Sequence, residues 1–161
     1  MVDTRRRFFL RSAAKERVQP MPWIAGWQQF TSGCTRCGDC VRACEEKIIA
    51  VGDGGFPTVD FTKGECTFCY ACAESCPEGL FQPETSTPWQ QHVAIGDACL
   101  AKKGVECRSC SDACEMGAIK FQLQLGKVAQ PVITVSDCTG CGACVSPCPV
   151  NAIAIERIGH E

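Results

Sequence analysis

Residues 138–149 read CTGCGACVSPCP and place four cysteines at the spacing C-x2-C-x2-C-x3-C, with a proline directly after the last. This run is typical of the thiolate ligands of a [4Fe–4S] cluster, a cube of iron and sulfide. Where two clusters lie side by side, the fourth cysteine of a run ligates the neighbouring cluster, so one run alone is incomplete. The chain should therefore contain a partner run.

Three further cysteine runs are present in the 161-residue chain. Residues 34–44 read CTRCGDCVRAC, residues 66–77 read CTFCYACAESCP, and a third run has cysteines at 107, 110 and 114. This third run is widened, because its first cysteine is Cys99 rather than a residue at position 104. Repetition at a fixed spacing is the mark of a duplicated unit, and all sixteen cysteines have a place in it.

The repeats predict an α+β fold of two tandem ferredoxin-like modules, each with paired [4Fe–4S] clusters. We expect each cysteine loop to lead into a short helix, and a strand, tight turn and strand to follow the first run of each module. The predicted helices are residues 38–44, 71–76, 109–114 and 142–148, and the predicted hairpins lie within 48–61 and 118–135. The predicted segments are a basic N-terminal segment (1–30), a first module (31–83), a linker (84–98) and a second module (99–161).

The crossed rule of paired clusters predicts four [4Fe–4S] clusters and a ligand set for each. The first-module sets are Cys34, Cys37, Cys40 with Cys76, and Cys66, Cys69, Cys72 with Cys44. The second-module sets are Cys99, Cys107, Cys110 with Cys148, and Cys138, Cys141, Cys144 with Cys114. Cys99 is expected to be a ligand despite the widened loop; otherwise that site would hold a three-iron cluster.

Two other uses of the cysteines are weaker interpretations. Disulfides are disfavoured because the cysteines lie too close together in sequence to bridge near neighbours easily and because their spacing repeats. Structural zinc would use two C-x2-C hooks and leave the third cysteine of each run idle. No acid–base pair, nucleophile arrangement or phosphate loop is visible, so we expect an electron carrier or accessory protein rather than an enzyme.

The formal charge of −2 combines two opposed parts, since residues 1–17 carry six basic and two acidic side chains and the remainder is acidic. Residues 6–11 match the twin-arginine export consensus, but charges at 15–17 and Pro20 interrupt the apolar stretch that a signal peptide needs. Export is therefore a weaker interpretation of this segment than a short basic amphipathic helix or a solvated tail. We expect Trp23 and Trp27 to share one helix face that packs on the first module.

Taken together, these features resemble the NapF family of ferredoxin-type proteins. The matching stretches are RRRFFLR (5–11), PMPW (20–23), CTRCGDC (34–40), CTFCYACAESCPEGLF (66–81), the widened third run and CTGCGACVSPCPVNAI (138–153). The resemblance implies a cytoplasmic iron–sulfur protein that interacts with NapA, the catalytic subunit of periplasmic nitrate reductase, before its export. The implied role is maturation of that subunit, by one-electron transfer or by assembly of its iron–sulfur centre.

An electron-transfer relay within a respiratory molybdenum oxidoreductase complex is the alternative function. We expect no nucleic-acid partner. We also expect no membrane span, because no apolar run approaches the length of about 18 residues that spanning needs.

Overall fold

The computed structural model describes residues 19–158, so the twin-arginine-like motif lies outside the described residues. The described chain contains short helices and strands joined by long cysteine-bearing loops. The helices are α1 (Trp27–Gly33), α2 (Asp39–Ala43), α3 (Ala71–Glu74) and α4 (Ser109–Asp112). The strands are β1 (Ile49–Val51), β2 (Pro57–Val59), β3 (Gln91–Ile95), β4 (Ile119–Gln124), β5 (Lys127–Ile133) and β6 (Ile153–Arg157).

Both predicted hairpins are present. Strands β1 and β2 pair antiparallel around the turn at Asp53–Gly55, where Gly54 and Gly55 both have positive φ. Strands β4 and β5 form a longer antiparallel pair around Gly126. Because the same hairpin follows the first cysteine run of each half, the fold repeats as the sequence does.

The two halves also share a strand pairing that closes each unit. In the second half, β3 precedes the cysteine runs and pairs antiparallel with β6, which follows them. In the first half the equivalent contact is a single antiparallel bridge between Ile24 and Phe81. Each half is therefore a loop of chain whose two ends meet beside the cysteines.

Strand β3 corrects the interpretation of residues 84–98 as a linker. Its residues alternate between the core and the outer side, with Gln91 and Val93 buried, and it pairs over five residues with β6. The Pro- and Thr-rich stretch before β3 is also held in place by two hydrogen bonds. The indole N–H of Trp23 donates to the carbonyl of Ser86, and the indole N–H of Trp89 donates to the carbonyl of Pro20.

Two predicted helical features are wrong. Residues 143–147 form turns, because Pro147 lacks the N–H that a helix would use and disfavours the helical conformation at the preceding Ser146. Trp23 lies outside any helix, at a φ of 56°, and α1 begins only at Trp27. Trp23 nevertheless packs in the core of the first half, against Phe68 and Tyr70.

The apolar cores of the two halves are continuous. Val145 and Ile155, both from the second half, pack against the buried clusters of both halves. Among residues 19–158, no helix is long and apolar enough to cross a membrane.

Candidate iron–sulfur centres

All sixteen cysteines are free thiols, and they fall into four groups of four around four cavities. We call these groups sites 1 to 4. Site 1 comprises Cys34, Cys37, Cys40 and Cys76. Site 2 comprises Cys44, Cys66, Cys69 and Cys72; site 3 comprises Cys99, Cys107, Cys110 and Cys148; site 4 comprises Cys114, Cys138, Cys141 and Cys144.

Each group takes three cysteines from one run and the fourth from the paired run, which is the crossed arrangement expected from the spacing. In sites 1 and 3 the hairpin after the first run of each half returns the chain, and the fourth cysteine comes from the end of the second run. In sites 2 and 4 the fourth cysteine comes from the end of the first run. In site 1, for example, Cys76 lies two residues after α3 yet lines the same cavity as Cys37, a residue of the other loop. The sequence-predicted residues are therefore brought together in the predicted sets.

Site 3 includes Cys99 despite the widened loop. Cys99 is buried and lines the same cavity as Cys107 and Cys110. Ala101 is buried, but residues 102–106 loop outward, with Gly104 at a φ of 84° and Val105 half exposed. Because the extra residues bulge into solvent, the first and second cysteines of the run still face each other across the cavity.

The backbone of three cysteine loops repeats an uncommon conformation. The residues on either side of the second cysteine have positive φ in each, namely Arg36 and Gly38, Phe68 and Tyr70, and Gly140 and Gly142. A positive φ at a bulky residue costs on the order of 1–3 kcal/mol, so the tight loop imposes it against local preference. The third run differs, since Arg108 has a φ of −132°.

Burial makes the free thiols reluctant to ionise. Burial, followed by the nearby cysteines of its own group and Cys40, raises the pKa of Cys72 to about 12. Burial and then Cys141 and Cys138 raise the pKa of Cys144 to about 12. Burial also raises the pKa to about 11 at Cys40, Cys66 and Cys110. Such thiols become metal ligands only when a positively charged centre replaces their protons.

The donor sets fit [4Fe–4S] clusters, which bind four thiolates each. No group of three or more Cys, His, Asp or Glu residues within 19–158 lies close enough to hold a single metal ion. The sulfurs instead surround a space, of about 230 Å³ in site 1 and about 290 Å³ in site 4. The cavities of sites 2 and 3 are smaller, at about 20 Å³ each.

The four sites follow one another in the order 1, 2, 4, 3. Cys40 of site 1 and Cys72 of site 2 are close enough to interact electrostatically, as are Cys144 of site 4 and Cys110 of site 3. Between the halves, the backbone N–H of Cys66 donates to the carbonyl of Cys141 at 2.9 Å. Sites 2 and 4 are thus the inner pair.

The loop of site 4 is the joint between the halves. Gly140 accepts a hydrogen bond from Gln91, Cys141 accepts one from Cys66, and Gly142 lies against the ring of Phe61. The equivalent loop of site 1 is different, since Thr35, Arg36 and Cys37 are exposed. The site 1 end of the series is therefore open to solvent, and Cys69 of site 2 is exposed as well.

The comparisons with known proteins agree with this geometry. The 4Fe-4S dicluster domain family matches residues 33–80 and 103–152. The ferredoxin-type protein NapF of Escherichia coli K12 is 46% identical over 160 residues, which cover 98% of this chain and 97% of that protein. The chain belongs to the NapF family of ferredoxin-type proteins. It is therefore an electron carrier that holds [4Fe–4S] clusters, not an enzyme.

Other relatives extend the family likeness. The NapF protein of Haemophilus influenzae is 48% identical over 137 residues, which cover 85% of this chain and 78% of that protein. The methylamine utilization ferredoxin-type protein MauM of Methylorubrum extorquens is 27% identical over 173 residues, covering 95% and 79%. The second domain match begins at residue 103 and leaves Cys99 outside, so the site 3 cavity is the observation that bears on this cysteine.

The polar residues at the contact between the two halves could not be identified from the sequence. Gln91 is only 2% exposed, yet nothing in its stretch of sequence set it apart from a linker glutamine. His92 is half buried; its Nδ1 is buried and has no hydrogen-bond partner within the described residues.

Proposed function

We propose that this protein is a four-cluster ferredoxin of the cytoplasm that assists maturation of the nitrate reductase catalytic subunit NapA before its export. Each of the four cysteine groups holds one [4Fe–4S] cluster, with all sixteen cysteines as ligands. The protein delivers single electrons, or parts of an iron–sulfur centre, to the unfinished subunit. The nitrate reductase link rests on likeness to relatives named NapF.

The observation that carries the electron-transfer role is the unbroken order of sites 1, 2, 4 and 3. A cubane changes its charge by one electron with little movement of its ligands, so adjacent cubes can pass electrons through a rigid protein. The hydrogen bond between Cys66 and Cys141 brings sites 2 and 4 together, so the series of sites is not interrupted between the two halves. An electron that enters at exposed Cys37 in site 1 thus has a route to site 3.

The chain's own residues set the conditions of transfer. Burial limits the contact of four cysteines with water, namely Cys72, Cys99, Cys110 and Cys144. Backbone N–H groups that donate to sulfur would stabilise a reduced cluster. One such contact is the N–H of Ala152, which lies 3.2 Å from Sγ of Cys148 in site 3.

An anaerobic pull-down with the tagged full-length protein tests the proposal. From the cytoplasmic fraction, we expect recovery of NapA with its export leader still attached. A Cys37→Ala/Cys76→Ala variant serves as the matched control, because it lacks the exposed end of the series and keeps the remaining sites. This variant should still bind NapA but should no longer reduce it at the normal rate. Recovery of only mature enzyme, from periplasmic or membrane fractions, would contradict the maturation role.

The same linear order also supports a second candidate, a relay subunit in a standing respiratory complex. A relay needs two ends in permanent contact with donor and acceptor. Copurification of this protein with a large catalytic partner through salt washes would favour the relay, whereas release from the precursor once it matures would favour the maturation factor.

A further inference from the structure

A chain of hydrogen bonds connects Gln19, within the N-terminal segment (1–30), to the loop of site 4. The carbonyl of Gln19 accepts from the backbone N–H of Val59 at 3.1 Å and from Oγ1 of Thr58 at 2.9 Å. Gln19 is thereby fixed to β2 of the first half. Its side-chain Nε2 donates to Oε1 of Gln91, in β3 of the second half, at 2.6 Å.

Gln91 passes this connection on to the cysteine loop. Its Nε2 donates to the carbonyl of Gly140 at 2.9 Å, and its side chain is 2% exposed. Because Gln19 donates to Oε1, the amide of Gln91 is oriented with its NH2 group towards Gly140. A buried amide with both ends paired is held firmly, since losing either partner leaves a desolvated polar group unsatisfied.

The fit between Gln91 and Gly140 is close. Gly140 has a φ of 71°, and a Cβ at this position would press against the side chain and carbonyl of Gln91. Gly140 lies directly between Thr139 and Cys141, so any movement of its carbonyl moves the backbone that carries a cluster sulfur. The equivalent positions in sites 1 and 2 are Arg36 and Phe68, which also have positive φ.

We propose that Gln91 is the positioning residue of site 4 and that Gln19 holds it in place. The N-terminal segment then contributes to one cluster site in particular, and it does so from the first half of the molecule. Groups that orient ligands in this way typically change metal affinity or activity by about 10–100-fold when removed. This inference rests on cluster binding by the NapF family and is independent of the partner NapA.

A chelator challenge of the anaerobic holoprotein tests the proposal. In Gln91→Met, which removes both hydrogen bonds at nearly constant volume, about a quarter of the iron should be released about tenfold faster than in the unmodified protein. The other three quarters should be released at the unmodified rate. Gln91→Glu should act in the same direction, because a carboxylate keeps the bond from Gln19 but cannot donate to Gly140.

Two further variants separate positioning from general stability. Gln19→Met should give a smaller acceleration of the same quarter of the iron, and Gln122→Met, the same change at an exposed strand position, should give none. A redox titration followed by electron paramagnetic resonance should show one shifted reduction potential in Gln91→Met and Gln91→Glu. Equal acceleration of all iron, or no acceleration and no shifted potential, would overturn the proposal.

Discussion

The backbone N–H of Cys66 and the carbonyl of Cys141 form a 2.9 Å hydrogen bond between the two halves of the molecule. Each of these cysteines belongs to a different group of four, so the bond places sites 2 and 4 side by side. Cys66 and Thr67 also line the site 4 cavity. The two duplicated halves thus form a single series of sites rather than two separate pairs.

The packing of the site 4 loop against the first half predicts that Gly142→Ala will disrupt the assembly of the two halves. The new Cβ would overlap the ring of Phe61, a buried residue of the first half. Overpacking of this kind costs about 1–3 kcal/mol, in addition to about 1–2 kcal/mol for a side chain at positive φ. We expect a lower midpoint of anaerobic thermal unfolding and weakened retention of iron.

Gly117→Ala is the matched control for this prediction. Gly117 also has a positive φ, of 62°, but a Cβ there would meet nothing within 4 Å. Gly117→Ala should therefore cost only the free energy of a side chain at positive φ, about 1–2 kcal/mol. Equal unfolding midpoints for the two variants would contradict the packing of the site 4 loop against Phe61.

The crossed grouping of the cysteines predicts opposite outcomes for two double variants. Cys37→Ala/Cys76→Ala removes two thiolates from site 1, so one whole cluster should be lost and iron should fall to about 12 per chain. Cys37→Ala/Cys44→Ala removes one thiolate each from sites 1 and 2. It should leave two three-iron clusters and about 14 irons.

Iron analysis and the three-iron signal in electron paramagnetic resonance distinguish these outcomes. If each run instead supplied all four ligands of its own cluster, the results of the two double variants would be exchanged. Their designs are otherwise alike, since both remove exposed Cys37 and one half-buried cysteine.

Cys99→Ala tests the widened run. With three thiolates left in site 3, the unsupported iron should leave, so that the oxidised protein gains a three-iron signal and contains about 15 irons. Lys103→Ala, an exposed change in the same loop, is the control and should leave the spectrum unchanged. An unaltered iron count in Cys99→Ala would mean that this cysteine is not a ligand.

The raised thiol pKa values predict that cluster loading improves with pH. Burial raises the pKa of Cys72 and Cys144 to about 12, so at neutral pH iron must displace their protons. The unloaded thiol form is thus favoured as pH falls. The loaded form becomes more stable relative to it as pH rises towards those values. Iron retained against a fixed chelator concentration should increase from pH 6.5 to 8.5. Retention that is constant or falls with pH would contradict this linkage.

Much of the fold could be predicted because the cysteine spacing is tied directly to the geometry of a cube. The grouping of the cysteines around four cavities, including the crossed return of Cys76 and Cys148, follows from a loop wrapping one corner while a paired run supplies the last thiolate. Local signals were also sufficient at Asp53–Gly55, where two glycines fit a tight turn.

The joint between the halves could not be predicted, because its contacts join residues distant in sequence. Gln19 and Gln91 are 72 positions apart, and no periodic pattern marks either of them. Strand β3 could not be predicted for a similar reason, because its pairing partner β6 lies about 60 residues later in the chain. Its first residues, Gln91 and His92, are also polar. The error of predicting a helix at 142–148 could have been avoided from the sequence, since Pro147 stands within that range.

The most direct test of the account is the amount of iron and acid-labile sulfide per chain in anaerobically purified protein. Four cubes held by sixteen cysteines predict about 16 irons and about 16 sulfides. A value near 8 for both would mean that only two of the four cysteine groups hold clusters, and it would contradict the continuous four-site series.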